Sequence, residues 1–214
     1  MKKIIFATGN ENKMKEIRMI LADCGYEILS MKQAGIDVDV VEDGKTFEEN
    51  AAIKAKAIAA TPEAEGCVVL ADDSGLEIDI LNKEPGIYSA KYMGEDTSYD
   101  IKNKALIDRV NEATGEDVSG LSVEELKSRP VTDERRSARF VCAIAAAFPD
   151  GRVETVRGTI EGRVGYVQAG ANGFGYDPIF YVPEFGCTTA ELPPERKNEV
   201  SHRGNALRLI KEYL

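Results

Sequence analysis

The chain has 214 residues, 43% hydrophobic and 30% charged, proportions of a soluble globular protein that forms one domain, residues 1–214, or one domain with two lobes. Lys and Arg number 27 against 37 Asp and Glu, so the net charge is −10; such a chain repels duplex DNA and anionic membrane and binds a small anion only where basic residues gather. A single histidine, His202, excludes zinc sites built on two or three imidazoles of one chain, and four cysteines without a C-x-x-C pair predict buried, reduced thiols in a cytosolic protein.

Lys3 to Ala7 reads as a short buried strand broken at Thr8-Gly9-Asn10. A helix follows with Met14, Ile17, Ile20, Leu21 and Cys24 on one stripe and Gly25 to end it, and Tyr26 to Met31 is a second strand. Strand, helix, strand is the usual opening of an α/β fold. Gly35 to Gly44 is an acidic loop. Thr46 then caps an alanine-rich helix that runs to about Ala60, where Thr61-Pro62 stops it. Cys67 to Ala71 is a buried strand that Asp72-Asp73-Ser74-Gly75 terminates, and Leu76 to Leu81 is a separate, half-exposed strand.

Pro85-Gly86 is a turn, and Ser98 to Ala113 a helix with Ile101, Ala105, Leu106 and Val110 facing inward. Thr114 to Arg135 is a polar excursion with a short helix from Ser122. Ser137 to Phe148 is a central strand, turned by Pro149-Asp150-Gly151 into the strand from Arg152 to Ile160. Gly162 to Gly175 is glycine-rich and irregular, Ile179 to Val182 the last strand, and Ser201 caps a final helix whose inner stripe is Ala206, Leu207, Ile210, Tyr213 and Leu214. A crossover and a hairpin in one sheet make it mixed. No apolar run is long enough to span a bilayer or to form a signal-peptide core.

Five segments carry candidate chemistry. Thr8-Gly9-Asn10-Glu11-Asn12-Lys13 joins a strand end to a helix start, where free N–H groups and the helix dipole suit phosphate; equally, Asn10 is an ordinary N-cap and Lys13 a solvated charge. Asp72 and Asp73 follow a buried strand. Neighbours on a strand point to opposite faces, so the two carboxylates have different jobs, one at the site and one supporting it, unless the segment is an Asp-rich turn. Glu42 in the acidic loop is a potential Mg²⁺ ligand and Lys54 a phosphate counter-charge, or both are solvated charges. In Gly173-Phe174-Gly175-Tyr176-Asp177-Pro178, an aromatic face and a carboxylate suit a nucleobase, or the aromatics plug the core. His202 and Arg203 open the last helix; the helix N-terminus disfavours imidazolium, so a neutral His202 is suited to hydrogen bonding.

Together these segments resemble the inosine triphosphate pyrophosphatase family. The resemblance is carried by Phe6-Ala-Thr-Gly-Asn10 with Lys13, Thr46-Phe-Glu-Glu-Asn50 with Lys54, Ala71-Asp-Asp-Ser-Gly-Leu76, Pro85-Gly-Ile-Tyr-Ser-Ala90, Gly173-Phe-Gly-Tyr-Asp-Pro-Ile-Phe180 and Ser201-His-Arg-Gly204, in the family's order from end to end of the chain. Glu116 to Asp133 is longer than the family's usual segment. The resemblance implies an elongated mixed β-sheet flanked by helices, in two lobes with a cleft between them. It also implies a cytoplasmic Mg²⁺-dependent homodimer that converts a non-standard purine nucleoside triphosphate (ITP, dITP or XTP) and water into the monophosphate and pyrophosphate, with neither nucleic-acid polymer nor membrane as partner.

On that resemblance Asp73 is general base and metal contact, Asp72 and Glu42 complete the metal set, and Lys13 and Lys54 with the Thr8–Lys13 turn hold the triphosphate. Ser74, Phe174, Gly175, Tyr176, Asp177, Lys197, His202 and Arg203 then contact the nucleotide, with Phe174 stacked on the base. Donors from His202 and Arg203 satisfy a purine 6-oxo group, and the 6-amino group of adenine leaves them unpaired at about 1–3 kcal/mol each. A phosphatase releasing orthophosphate uses the same residues and differs in product. A non-catalytic nucleotide sensor gains little from paired carboxylates, and a ligand-free structural protein leaves the polar clusters at three element ends unexplained.

Overall fold

The computed structural model describes residues Lys2–Leu214. One seven-stranded sheet has the strand order β2-β1-β3-β4-β5-β6-β7. The strands are β1 Lys3–Phe6, β2 Glu27–Ser30, β3 Val68–Ile78, β4 Ser137–Ala147, β5 Val153–Val164, β6 Phe180–Val182 and β7 Cys187–Thr188. β1 pairs in parallel with β2 and β3, whereas β6 is antiparallel to both β5 and β7, so the sheet is mixed as expected. Among the described residues the α-helices are α1 Glu11–Ile20, α2 Met31–Ala34, α3 Phe47–Ala59, α4 Tyr99–Thr114, α5 Val123–Ser128, α6 Pro194–Val200 and α7 His202–Lys211. None is long and apolar enough to cross a membrane.

The chain forms two compact units. The first comprises residues up to Ser74 with Val141–Thr159 and Asn198–Leu214; the second comprises Gly75–Phe140 and Ile160–Lys197. In the first, α1 and α7 cover one face of β1, β3 and β4. Ile4, Phe6, Met14, Ile17, Leu21, Val68, Leu70, Cys142, Ile144, Ala146, Ala206, Leu207 and Ile210 form that core. The alternate members of each strand and the i, i+3, i+4 stripe of each helix supply it. Gly158 on β5 is where α7 comes closest, because a Cβ there would lie 2.3 Å from the His202 carbonyl oxygen and 2.4 Å from the Ala206 nitrogen.

Several elements differ from the sequence reading. Asp72-Asp73-Ser74-Gly75 does not end a strand; β3 runs through it for 11 residues, and Asp79–Leu81 is a 3-10 turn. Ser30 and Gln33 form a reciprocal cap that starts the short α2 directly from β2. β5 continues through Gly162 to Val164, since a Cβ at Gly162 would meet the Phe180 ring at 2.6 Å and the missing side chain leaves room for it. β7 and α6 were not foreseen. Ile101 is 54% exposed, and the inner face of α4 is Lys102, Asn103, Leu106, Ile107 and Val110. Tyr213 is exposed, beyond the end of α7. Of the four free cysteines only Cys142 is buried.

Candidate active site

The pleat of β3 decides the chemistry. Side chains alternate along a strand, so Asp72 and Ser74 share the face of Val68 and Leu70, toward α1 and α7, and Asp73 points the other way, toward α3. The two neighbouring carboxylates therefore meet different partners.

Asp72 is wholly buried and gathers cations. Lys13 Nζ, one turn into α1, lies 3.1 Å from its Oδ1 and 2.9 Å from its Oδ2. Arg203 Nη2, at the start of α7, lies 3.4 Å from Oδ2 and donates to Ser74 Oγ at 3.2 Å; Ser74 Oγ donates to Asp72 Oδ2 at 3.3 Å. Lys54 on α3 donates to the Asp72 backbone carbonyl at 3.0 Å. Burial alone pushes this carboxyl upward, but the charges of Lys13, Arg203 and Lys54 outweigh it and hold Asp72 far below the usual carboxylate range. Cys142 of β4 lies in the same field, and its thiol is pushed up to about 12 by burial and by the Asp72 charge.

Asp73 has the opposite balance. Its Oδ2 accepts one hydrogen bond, from Asn50 Nδ2 at 3.0 Å. Burial raises its pKa to about 6, the Asn50 bond and the Lys54 charge work against the rise, and the negative charges of Glu42 and Asp72 add to it. A carboxylate poised near neutrality is what proton abstraction from water needs. Glu42 reaches the same neighbourhood through its ion pair with Lys54 at 3.0 Å.

Around these groups the Thr8–Lys13 turn is held by its own side chains. Thr8 Oγ1 accepts from the Asn10 N–H at 3.1 Å, and Asn10 Oδ1 accepts from the N–H groups of Asn12 at 2.9 Å and Lys13 at 3.2 Å. Asn10 is thus an N-cap that spends donors expected for phosphate, and Glu11 opens the helix exposed. The turn borders a concavity of about 690 Å³ lined by Thr8, Gly9, Ile36, Asp39, Glu42 and Lys54 among others. That concavity brings the turn, the acidic loop and α3 to one place at the C-terminal end of β1, where parallel sheets present ligands.

The second unit carries the Gly173–Pro178 loop. Asp177 is buried and committed: its Oδ2 accepts from the Phe174 N–H at 2.8 Å and from Lys197 Nζ at 2.7 Å, and its Oδ1 from Thr189 Oγ1 at 2.8 Å. It organises the loop, where the sequence reading placed it on a nucleobase edge. A Cβ at Gly173 would lie 2.2 Å from Asp177 Oδ2, and φ at Gly173 is +74°, so only glycine closes this turn. Tyr176 is buried and its hydroxyl donates to the Ser89 carbonyl at 2.6 Å, so it plugs the core. Phe174 is half-buried, with the Lys197 ammonium 5.1 Å from its ring centre.

One further correction follows from these contacts. Arg203, expected to donate to a purine, gives its guanidinium to Glu16, Asp72 and Ser74 and is 2% exposed. His202 is buried in the first turn of α7. Asn50 and Glu16 were missed. Each stands on a helix face three or four residues from a lysine that was singled out, a spacing that puts them beside Lys54 and Lys13. Gly44 belongs with Asn50: its N–H donates to Asn50 Oδ1 at 2.8 Å, and a Cβ there would lie 2.7 Å from that oxygen.

Comparison with known proteins shows the family. The sequence profile of the Ham1 family matches residues 4–213. The dITP/XTP pyrophosphatase of Clostridium perfringens (strain 13 / Type A) is 44% identical, over 100% of this chain and 98% of that protein. A HAM1 protein from Coxiella burnetii superposes with a TM-score of 0.81 at 34% identity, covering 100% of this chain and 98% of that one. The Staphylococcus aureus Ham1 protein superposes with a TM-score of 0.78 at 38% identity, over 99% and 97% of the two chains. With its profile matched nearly end to end and its mixed sheet shared by both solved structures, the chain belongs to the Ham1 family.

Proposed function

We propose that this chain hydrolyses non-canonical purine nucleoside triphosphates, dITP, ITP and XTP, to the monophosphate and pyrophosphate. The observation that carries the reading is the division of labour on β3, where Asp72 is held ionised by Lys13 and Arg203 and Asp73 beside it is raised to about 6. A pure binder has no use for a carboxylate tuned as a base. Relatives bearing the name dITP/XTP pyrophosphatase supply the substrate class.

Water attacks the α-phosphorus and pyrophosphate leaves. Asp73 takes the proton of the attacking water, and Asn50 holds its carboxylate in the orientation to do so. Lys54, beside Glu42, and Lys13, oriented by Asp72, face the phosphate charge. Catalysis of phosphoryl transfer is chiefly positioning and charge neutralisation, and the ammonium groups of Lys13 and Lys54, each held by a carboxylate, are positioned for it.

Among the described residues no three His, Cys, Asp or Glu side chains converge as a ready-made metal cage. Mg²⁺ needs less than that: one or two carboxylates, with waters and substrate phosphate oxygens completing its octahedron. Asp73 and Glu42 fit, since each raises the negative potential that a cation would relieve. Asp72, expected among the ligands, acts instead through Lys13 and Arg203. Bound Mg²⁺ supplies charge neutralisation on the phosphate oxygens and on the departing pyrophosphate. Phe174 offers its ring to the base. The donor to a 6-oxo group is assigned to His202, because Arg203 and Lys197 are both committed to carboxylates. A cytoplasmic homodimer, acting on neither membrane nor nucleic-acid polymer, completes the proposal; the net charge of −10 supports the last two points.

The test is a substrate panel of dITP, XTP, GTP and ATP, with and without Mg²⁺. The expected outcome is Mg²⁺-dependent pyrophosphate from dITP and XTP with ATP and GTP largely spared. Orthophosphate as the primary product, or equal use of ATP, would refute the reading.

A further inference from the structure

The inner face of α4 contains two adjacent polar residues where an apolar stripe is expected. Lys102 and Asn103 are each 1% exposed. The Lys102 ammonium donates to the Ala90 carbonyl at 2.8 Å and lies 5.0 Å from the centre of the Tyr99 ring; no carboxylate pairs with it among the described residues. Asn103 Nδ2 donates to the Gly175 carbonyl and to Gln168 Oε1, both at 3.1 Å, and Asn103 Oδ1 is buried without a hydrogen-bond partner. Both choices cost stability: a buried ammonium without a counter-ion and an unsatisfied buried acceptor are penalised relative to apolar side chains of similar volume.

What the two residues hold is informative. Asn103 grips Gly175, which with Gly173 gives the loop two left-handed residues, φ +68° and +74°, on either side of Phe174. Lys102 grips Ala90, and the neighbouring Ser89 carbonyl accepts the Tyr176 hydroxyl at 2.6 Å. Ser89 Oγ in turn accepts the Leu76 N–H of β3 at 2.9 Å. The Tyr99 ring, one turn earlier on α4, meets Tyr176 edge-on at 5.2 Å. The first two turns of α4 therefore tie the Phe174 loop to the Ser89–Ala90 segment, and that segment is tied to β3.

We propose that Lys102 and Asn103 are positioning residues for nucleotide recognition, fixing the Gly173–Pro178 loop so that Phe174 is presented in one orientation. The inference rests on the reading of Phe174 as the nucleobase platform. Neither residue touches substrate. Each acts through a loop carbonyl, and stability is given up at α4 for a fixed loop geometry.

The experiment compares Lys102→Met and Asn103→Ala with the wild-type protein in dITP hydrolysis at saturating Mg²⁺, with thermal melting of all three. For Lys102→Met the expected result is a Tm equal to or above wild type, a KM for dITP raised about tenfold and a kcat within about twofold, the pattern of lost ground-state positioning. Asn103→Ala is expected to show the same split in KM and kcat. A purely structural role would lower Tm and leave KM where it was. The inference is overturned if folded variants keep the wild-type KM, if kcat falls with KM unchanged, or if both variants fail to fold. Failure of the functional reading shows separately, as a wild-type protein that makes no pyrophosphate from dITP.

Discussion

Asp72 and Asp73 are adjacent, identical in chemistry, and predicted to respond oppositely to the same substitution. Asp72→Asn removes the charge that the buried Arg203 and the half-buried Lys13 pair with, and breaking a buried ion pair costs about 3–5 kcal/mol; a large fall in denaturation midpoint is expected. Asp73→Asn removes a carboxylate whose ionisation burial opposes, so turnover should be nearly abolished while Tm at neutral pH holds or rises. The pH dependence follows from the sign of the shift. Asp73 is raised from 3.8 to about 6, so its contribution to stability is fully present below 3.8 and lost as pH rises through about 6. Activity runs the other way, falling on acidification as Asp73 is protonated, with the limb moved below 6 when Mg²⁺ is bound beside the carboxylate; kcat/KM against pH for wild type and Asp73→Asn would show whether that limb belongs to Asp73. Different jobs for the two residues were legible from strand alternation alone. The partners of Asp72 were not, because they come from α1 and α7, about 60 and 130 residues away in sequence.

At the scale of elements, periodicity located α1, α3, α4, α7 and most strands, because each buries one face against the sheet. It failed where packing overrode local signals. Two aspartates, a serine and a glycine look like a strand end, yet β3 passes through them because each aspartate finds a partner on its own face. Ile101 lost its inward place to Lys102 and Asn103, a substitution of polar for apolar residues that a hydrophobic stripe cannot reveal. Gly158 lies inside the strand expected from Arg152 to Ile160, and nothing in that pattern shows that α7 rests on it. Gly158→Ala would push its methyl group onto the His202 carbonyl and the Ala206 nitrogen, backbone atoms that cannot yield without moving α7. A loss of stability is expected together with a loss of activity in the fraction that folds, since Arg203 moves with the helix; wild-type melting and turnover would show that the contact is relieved some other way.

For the whole molecule, the parallel half of the sheet, the antiparallel end and the two compact units are the frame on which the separate segments fall into place. A chain of net charge −10 brings Lys13, Lys54 and Arg203 together with Asp72, Asp73, Glu42 and Glu16, so the cations of this cluster are already matched by carboxylates. The proposed reaction needs a divalent cation beside the triphosphate. EDTA is expected to abolish turnover and Mg²⁺ to restore it, and full activity in excess EDTA would remove the metal from the account.

The most direct test of the central claim is hydrolysis of dITP in ¹⁸O-labelled water, with the products followed by ³¹P NMR. Attack at the α-phosphorus, with Asp73 as base, predicts label in the monophosphate and unlabelled pyrophosphate. Label in pyrophosphate, or release of labelled orthophosphate, would place the attack on another phosphorus and contradict the mechanism built on β3.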